Sequence, residues 1–245
     1  MRLTNTSNPA FSEKAFETAQ LGSETMSIKG TLNKSILLFL ILLVTASLSW
    51  RLAQYNPELL PSLMIGSGIV GFVLAMVTIF AHKYAKYTAP LYVAAQGLLL
   101  GSVSMLYESL FSGIVLQAIL ITFAIMGVML FLFRSEIIKV TDKFRSGVII
   151  ATGGIALVYI LSFVLGFFGV EIPYLHQGGP IGIAISAFIV VIAALNLILD
   201  FNFIQEASDR GAPKDMEWFA AFGLMLTLIW LYLEVLRLLS YLNRR

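Results

Sequence analysis

Long apolar stretches separated by short polar ones recur seven times along the chain: Leu32 to Trp50, Pro61 to Phe80, Thr88 to Tyr107, Ile114 to Phe133, Gly147 to Val170, Ile181 to Ile204 and Trp218 to Leu239. Each has about the 20 residues that a helix needs to cross the hydrocarbon of a bilayer. The pattern predicts an all-α, polytopic membrane protein with seven transmembrane helices. The second to fifth stretches contain no Asp, Glu, Lys or Arg. Lys34 falls in the first turn of the first, where its side chain can snorkel to the interface. Pro57, Pro61, Pro90, Pro173, Pro180 and Pro213 fall between stretches or at their starts, where a missing backbone donor does little harm. Residues 1–30 carry charges of both signs and lack the apolar core of a signal peptide. They read as a polar cytoplasmic tail, with a short interfacial helix around Phe11 to Ala19, ahead of a transmembrane domain over residues 31–245.

Composition supports this reading. The 245 residues are 58% hydrophobic and 12% charged, whereas soluble domains are about 25% charged. The net charge is +2, and the basic residues sit at the ends of apolar runs, a distribution that argues against nucleic acid as a partner. The absence of cysteine excludes thiol catalysis, Cys-based zinc sites and disulfides. Twelve Lys and Arg lie in the tail and in the second, fourth and sixth loops, against four (Arg51, Arg237, Arg244, Arg245) on the alternate side. The positive-inside rule then puts the N-terminus and the sixth loop in the cytoplasm and the C-terminus outside. The basic C-terminus dissents, and a re-entrant last segment would bring it back inside.

The candidate chemistry lies in the last two stretches. Gly182, Ser186, Ile189, Ala193, Asn196 and Asp200 form one helical stripe, small at its outer end and polar at its inner end. Phe201 to Ile204 follow Asp200 before the polar loop, which puts its carboxyl about 6 Å inside the boundary. An acid there is costly unless paired, protonated or wetted, and marks a functional site by default; the alternative is an Asp that locks helices against a basic loop residue. Glu234 shares a stripe with Ala220, Gly223, Thr227, Trp230 and Arg237. Arg237, at i+3, is its structural partner. The residue level with Asp200 is expected near Ala220, so Glu234 stands about 21 Å away and Glu217 is the nearer acid. Small pairs such as Gly97 with Gly101 and Ser67 with Gly71 read as helix packing, and Gln96 and Gln117 as interhelical hydrogen-bond donors.

No enzyme fits these residues. There is no His-Glu-x-x-His motif. His82 and His176 fall in loops, so Ser102 and Ser104 lack a base, and an aspartyl dyad needs two close acids.

Several segments together resemble the Bax inhibitor-1 family, also called the transmembrane Bax-inhibitor-motif proteins, and its bacterial branch in particular. They are SNPAF at Ser7 to Phe11, GTLNKS at Gly30 to Ser35, APLYVAAQGLLLG at Ala89 to Gly101, LDFNFI at Leu199 to Ile204, RGAPK at Arg210 to Lys214, EWFAAF at Glu217 to Phe222 and LYLEVLRLL at Leu231 to Leu239. The resemblance implies a seven-helix bundle with a central last helix, multi-pass in the bacterial inner membrane, and a role in calcium leak and cytoprotection. It also implies control by pH through acids on the last two helices. Asp200 matches the sixth-helix acid. Thr227 falls where the seventh-helix acid commonly stands, with Glu234 two turns away.

Calcium takes hard oxygen ligands, and Asp200 with the Asn196 amide oxygen would supply part of such a shell. The leading expectation is therefore a cation pathway with no bound cofactor, carrying Ca2+ and sensitive to protons, whose inner gate centres on Asp200. His82, Lys83, Lys86 or Arg134 would latch the ionised carboxylate. The alternative is a non-conducting regulator that docks a membrane protease or another integral protein through the tail and the loop from Gln205 to Asp215.

Overall fold

The structure, a computed structural model, describes residues 25–169 and 179–244. The expected interfacial helix at Phe11 to Ala19, the SNPAF segment, Val170, Pro173 and His176 lie outside the described residues. Seven helices long and apolar enough to cross a membrane account for most of the rest: α1 (Ile28–Tyr55), α2 (Leu60–Phe80), α3 (Ala85–Leu110), α4 (Ile114–Arg134), α5 (Asp142–Phe167), α6 (Pro180–Asp209) and α7 (Met216–Asn243). Single 3-10 turns at Pro57–Leu59 and His82–Tyr84 join α1 to α2 and α2 to α3. The helices alternate in direction, so the starts of α1, α3, α5 and α7 share one face of the bundle, here called proximal; the opposite face is distal.

Most helices overrun their apolar stretches. α1 begins four residues before Leu32, where the Ser27 hydroxyl accepts from the Gly30 N–H and caps it. Thr141 caps α5 in the same way. Lys34 therefore lies in the second turn of α1, not the first. Residues 25–27 are part of the bundle too: Thr25 bridges to Pro213, the Met26 N–H donates to the Ala212 carbonyl at 2.7 Å, and the Met26 side chain is buried. The polar tail thus ends earlier than residue 30. Pro90 lies inside α3, not at its start. α7 runs unbroken to Asn243, so no re-entrant turn brings the C-terminus back to the proximal face.

α7 occupies the centre. In its most apolar 18-residue stretch 67% of the residues are buried, against 6% for α5. It packs against α1, α3, α4 and α6, while α5 leans chiefly on α6. In lipid, where one apolar face is as good as another, close packing and hydrogen bonds decide which helices touch. α1 and α3 show both. A Cβ on Gly101 would strike the Ala46 backbone, and one on Gly97 would strike Thr45 and the Leu42 carbonyl. One turn further on, the hydroxyls of Ser49 and Ser102 share a hydrogen bond of 2.6 Å. Gly71 of α2 similarly receives the Gln96 amide, whereas Gln117 is exposed.

Candidate functional site

The stripe on α6 faces inward, with Gly182, Ser186, Ile189, Ala193 and Asp200 buried and Asn196 half-buried. Asp200 is 5% exposed. Across from it on α7 stands Thr227, the polar side chain beside its carboxyl; the Thr227 hydroxyl donates to the Gly223 carbonyl at 3.3 Å. Oδ2 of Asp200 is buried and has no hydrogen-bond partner among the described residues. None of the ion pairs among those residues includes Asp200.

Thr227, not Ala220, is therefore the residue level with Asp200. The difference comes from the turn. α6 continues nine residues past Asp200 to Asp209, and Thr227 lies eleven residues after α7 begins. The hairpin projects further beyond the apolar stretch than its composition suggests, and the register of α7 against α6 moves by about two turns.

Asn196 is tied to α5 through its amide nitrogen. Its Nδ2 donates to the Thr152 hydroxyl of α5 and to the Ile192 carbonyl, both at 2.8 Å. Among the described residues no three His, Cys, Asp or Glu side chains converge, so any cation at Asp200 would meet one carboxylate and otherwise neutral oxygens.

The four basic residues expected to latch Asp200 are placed elsewhere. Lys83 and Lys86 are exposed and lie over the rings of Tyr84 and Tyr87, each at 4.9 Å. Arg134 is exposed at the end of α4. His82 meets the Phe219 ring edge-on at 6.0 Å, eight residues proximal to Thr227 on α7. The reason is again the overrun of α6, which separates Asp200 from the proximal loops by more than two helical turns. The basic residue that does reach α6 is Arg145 of α5. Its Nη2 donates to Glu206 Oε1 at 3.1 Å, where Asn202 donates at 2.9 Å, and Arg210 stands 3.6 Å from Oε2.

The other two acids are fully engaged. Glu217, 1% exposed, pairs with Lys34 of α1 and accepts from the Ser27 N–H at 3.0 Å and the Ser27 hydroxyl at 3.1 Å. Its carboxylate lies against Gly30, where a Cβ would collide with it. Glu217 thus ties α7 to the start of α1 and is ten residues from Thr227. Glu234, 2% exposed, is held by Arg237 at 3.2 Å, by the Tyr159 hydroxyl of α5 at 2.7 Å and by the Trp230 indole N–H at 3.2 Å. Arg237 also donates to Tyr159. Glu234 is seven residues distal to Thr227, about 10 Å along the axis instead of the expected 21 Å, so that it and not Glu217 is the nearer acid along α7, yet it is too far for direct pairing with Asp200.

Sequence reasoning singled out Asp200 and the Glu234–Arg237 pair, and the family resemblance singled out Thr227. It missed Tyr159, Arg145 and the Lys34–Glu217 tie, whose partners are remote in sequence. Ser102 and Ser104, set aside as nucleophiles for want of a base, are committed to Ser49 and to the Tyr232 hydroxyl at 2.6 Å each.

No curated protein matches the chain. The model of the family described as Bax inhibitor 1 like matches residues 8–244, a range that includes all seven helices and both partners at the buried carboxyl. With an α7-centred seven-helix bundle, an acid on α6 and a match over nearly its whole length, the chain belongs to the Bax inhibitor-1 family.

Proposed function

We propose that the protein is a non-enzymatic, pH-sensitive cation leak of a bacterial inner membrane, with its proximal face in the cytoplasm. Calcium is the ion conducted, and Asp200 with Thr227 forms the gate between α6 and α7. One observation carries this reading: a carboxyl buried between α6 and the central α7 has an oxygen with no hydrogen-bond partner among the described residues. A carboxylate in such a place destabilises the contact unless it takes a proton or a cation. With a proton, the carboxyl is neutral and α6 and α7 close over it. Ionised, it attracts a cation and favours separation of the helices. The ion would meet Asp200 oxygens, the Thr227 hydroxyl and backbone carbonyls, all of them hard ligands. The twelve-to-four excess of Lys and Arg in the tail and the second, fourth and sixth loops supports the cytoplasmic orientation.

The test is calcium efflux from liposomes containing the purified protein, followed with an entrapped dye. Efflux that depends on pH in the parent and not in Asp200→Asn supports the gate. Efflux with an unchanged pH profile in Asp200→Asn removes it. Liposomes that stay calcium-tight at every pH would instead favour the non-conducting regulator. For that reading the docking loop is smaller than expected, because residues 205–209 belong to α6 and Ala212 already holds Met26.

A further inference from the structure

A cavity of about 430 Å³ lies between α1 and α4, on a side of α7 that does not include Asp200. Its floor is buried and is formed by Leu100 and Ser104 of α3 and Met225 of α7, while Leu43, Ser47 and Phe123 on its rim are exposed. Phe39 and Phe123 close its inner end with an edge-on contact, ring centroids 5.6 Å apart. Arg51 lines its distal end. From Phe39 to Arg51 α1 advances about 18 Å, close to the depth of one leaflet, roughly 15 Å. Trp50 beside Arg51 is the kind of residue that settles at the membrane–water interface.

The wall chemistry selects the occupant. Every hydroxyl in the cleft is already used: Ser47 donates to the Leu43 carbonyl at 2.8 Å, Thr122 to the Ala118 carbonyl at 2.7 Å, and Ser104 shares its hydrogen bond with Tyr232. Such a wall, with only these four hydroxyls among apolar side chains, offers a hydrated cation little and a hydrocarbon chain a good fit. Arg51, by contrast, is exposed and has no acidic partner among the described residues. A guanidinium at the headgroup level is a natural ligand for phosphate.

We propose that this cleft is a binding site for one anionic phospholipid, with an acyl chain along α1 and α4 and the headgroup phosphate at Arg51. The site is independent of the gate at Asp200. In the cleft an acyl chain fills the gap that opens between α1 and α4 beyond the contact of Phe39 with Phe123.

The experiment reconstitutes the full chain with phosphatidylglycerol or phosphatidylcholine carrying a photoactivatable acyl chain and maps the adducts by peptide mass spectrometry. The expected result is adducts concentrated on the α1 and α4 residues of the cleft, several-fold more with phosphatidylglycerol. Arg51→Gln should abolish that headgroup preference. Ile119→Trp, which fills the cleft, should remove the adducts with both lipids while thermal unfolding shows the fold retained. Should Ile119→Trp not fold, Arg51→Gln, on an exposed side chain, decides alone. Adducts as dense on the exposed faces of α2 and α5 as in the cleft would overturn the proposal, as would a headgroup preference that survives Arg51→Gln. Competition by inorganic phosphate would overturn the lipid assignment.

Discussion

Asp200 and Glu234 are both acids buried inside the bundle, and they could hardly be more different. Glu234 is enclosed by Arg237, Tyr159 and Trp230, so both of its oxygens are satisfied and its charge is balanced. Asp200 faces one neutral polar side chain, Thr227, and has an oxygen with no hydrogen-bond partner among the described residues. Burial is shared, so burial cannot be what separates a site from a brace. The difference lies in whether the surrounding helices supply the compensation themselves or leave it to a proton or an ion. Glu234 has a second task, because Tyr159 joins the loosely packed α5 to the central helix.

That contrast can be broken most forcefully at the brace. Glu234→Ala leaves Arg237 without its counter-charge and should cost about 3–5 kcal/mol, the range for removing one partner of a buried pair. Thermal unfolding in a fixed detergent reads the loss, and α5 should become protease-sensitive first. A smaller loss is expected at Glu217→Gln, about 1–3 kcal/mol, since the amide keeps the side chain's shape and an acceptor for the Ser27 donors and loses only the charge facing Lys34. Thermal unfolding again checks it, together with earlier cleavage near residue 25. Asp200→Asn should leave the unfolding free energy within about 1 kcal/mol of the parent, because it keeps the side chain's shape and removes no ion pair. The least effect on stability among the destabilising changes falls on Thr227→Val, about 0.6 kcal/mol and at most about 1.7, the range measured for interhelical hydrogen bonds in a membrane protein. Its signature should be a shifted midpoint of the pH profile of calcium efflux instead of a lost one.

The bundle was largely legible in the sequence because span length and apolar composition answer directly to the bilayer's thickness. The ends were less so. Composition marks where hydrocarbon stops, while a helix stops where its backbone finds a cap, as α1 does at Ser27 and α5 at Thr141. The same overrun at α6 displaced the predicted level of α7 and took the proposed latch residues away from Asp200. The Glu234–Arg237 pair was visible because its members are three residues apart on one helix. Tyr159 was hidden: on an apolar helix a tyrosine looks like any lipid-facing aromatic until its partner, 75 positions away, is placed beside it. Lys34 and Glu217 are separated by 183 positions, and only the docking of α1 against α7 joins them.

Calcium efflux from liposomes between about pH 5 and pH 8, measured on the parent, Asp200→Asn and Glu234→Gln in parallel, bears most directly on the distinction between the two acids. The expected outcome is a pH-dependent parent, a pH-independent Asp200→Asn, and a Glu234→Gln protein that keeps the parent's profile at reduced stability. A flat profile for Glu234→Gln alongside an unaltered one for Asp200→Asn would contradict it and move the gate to the distal cluster.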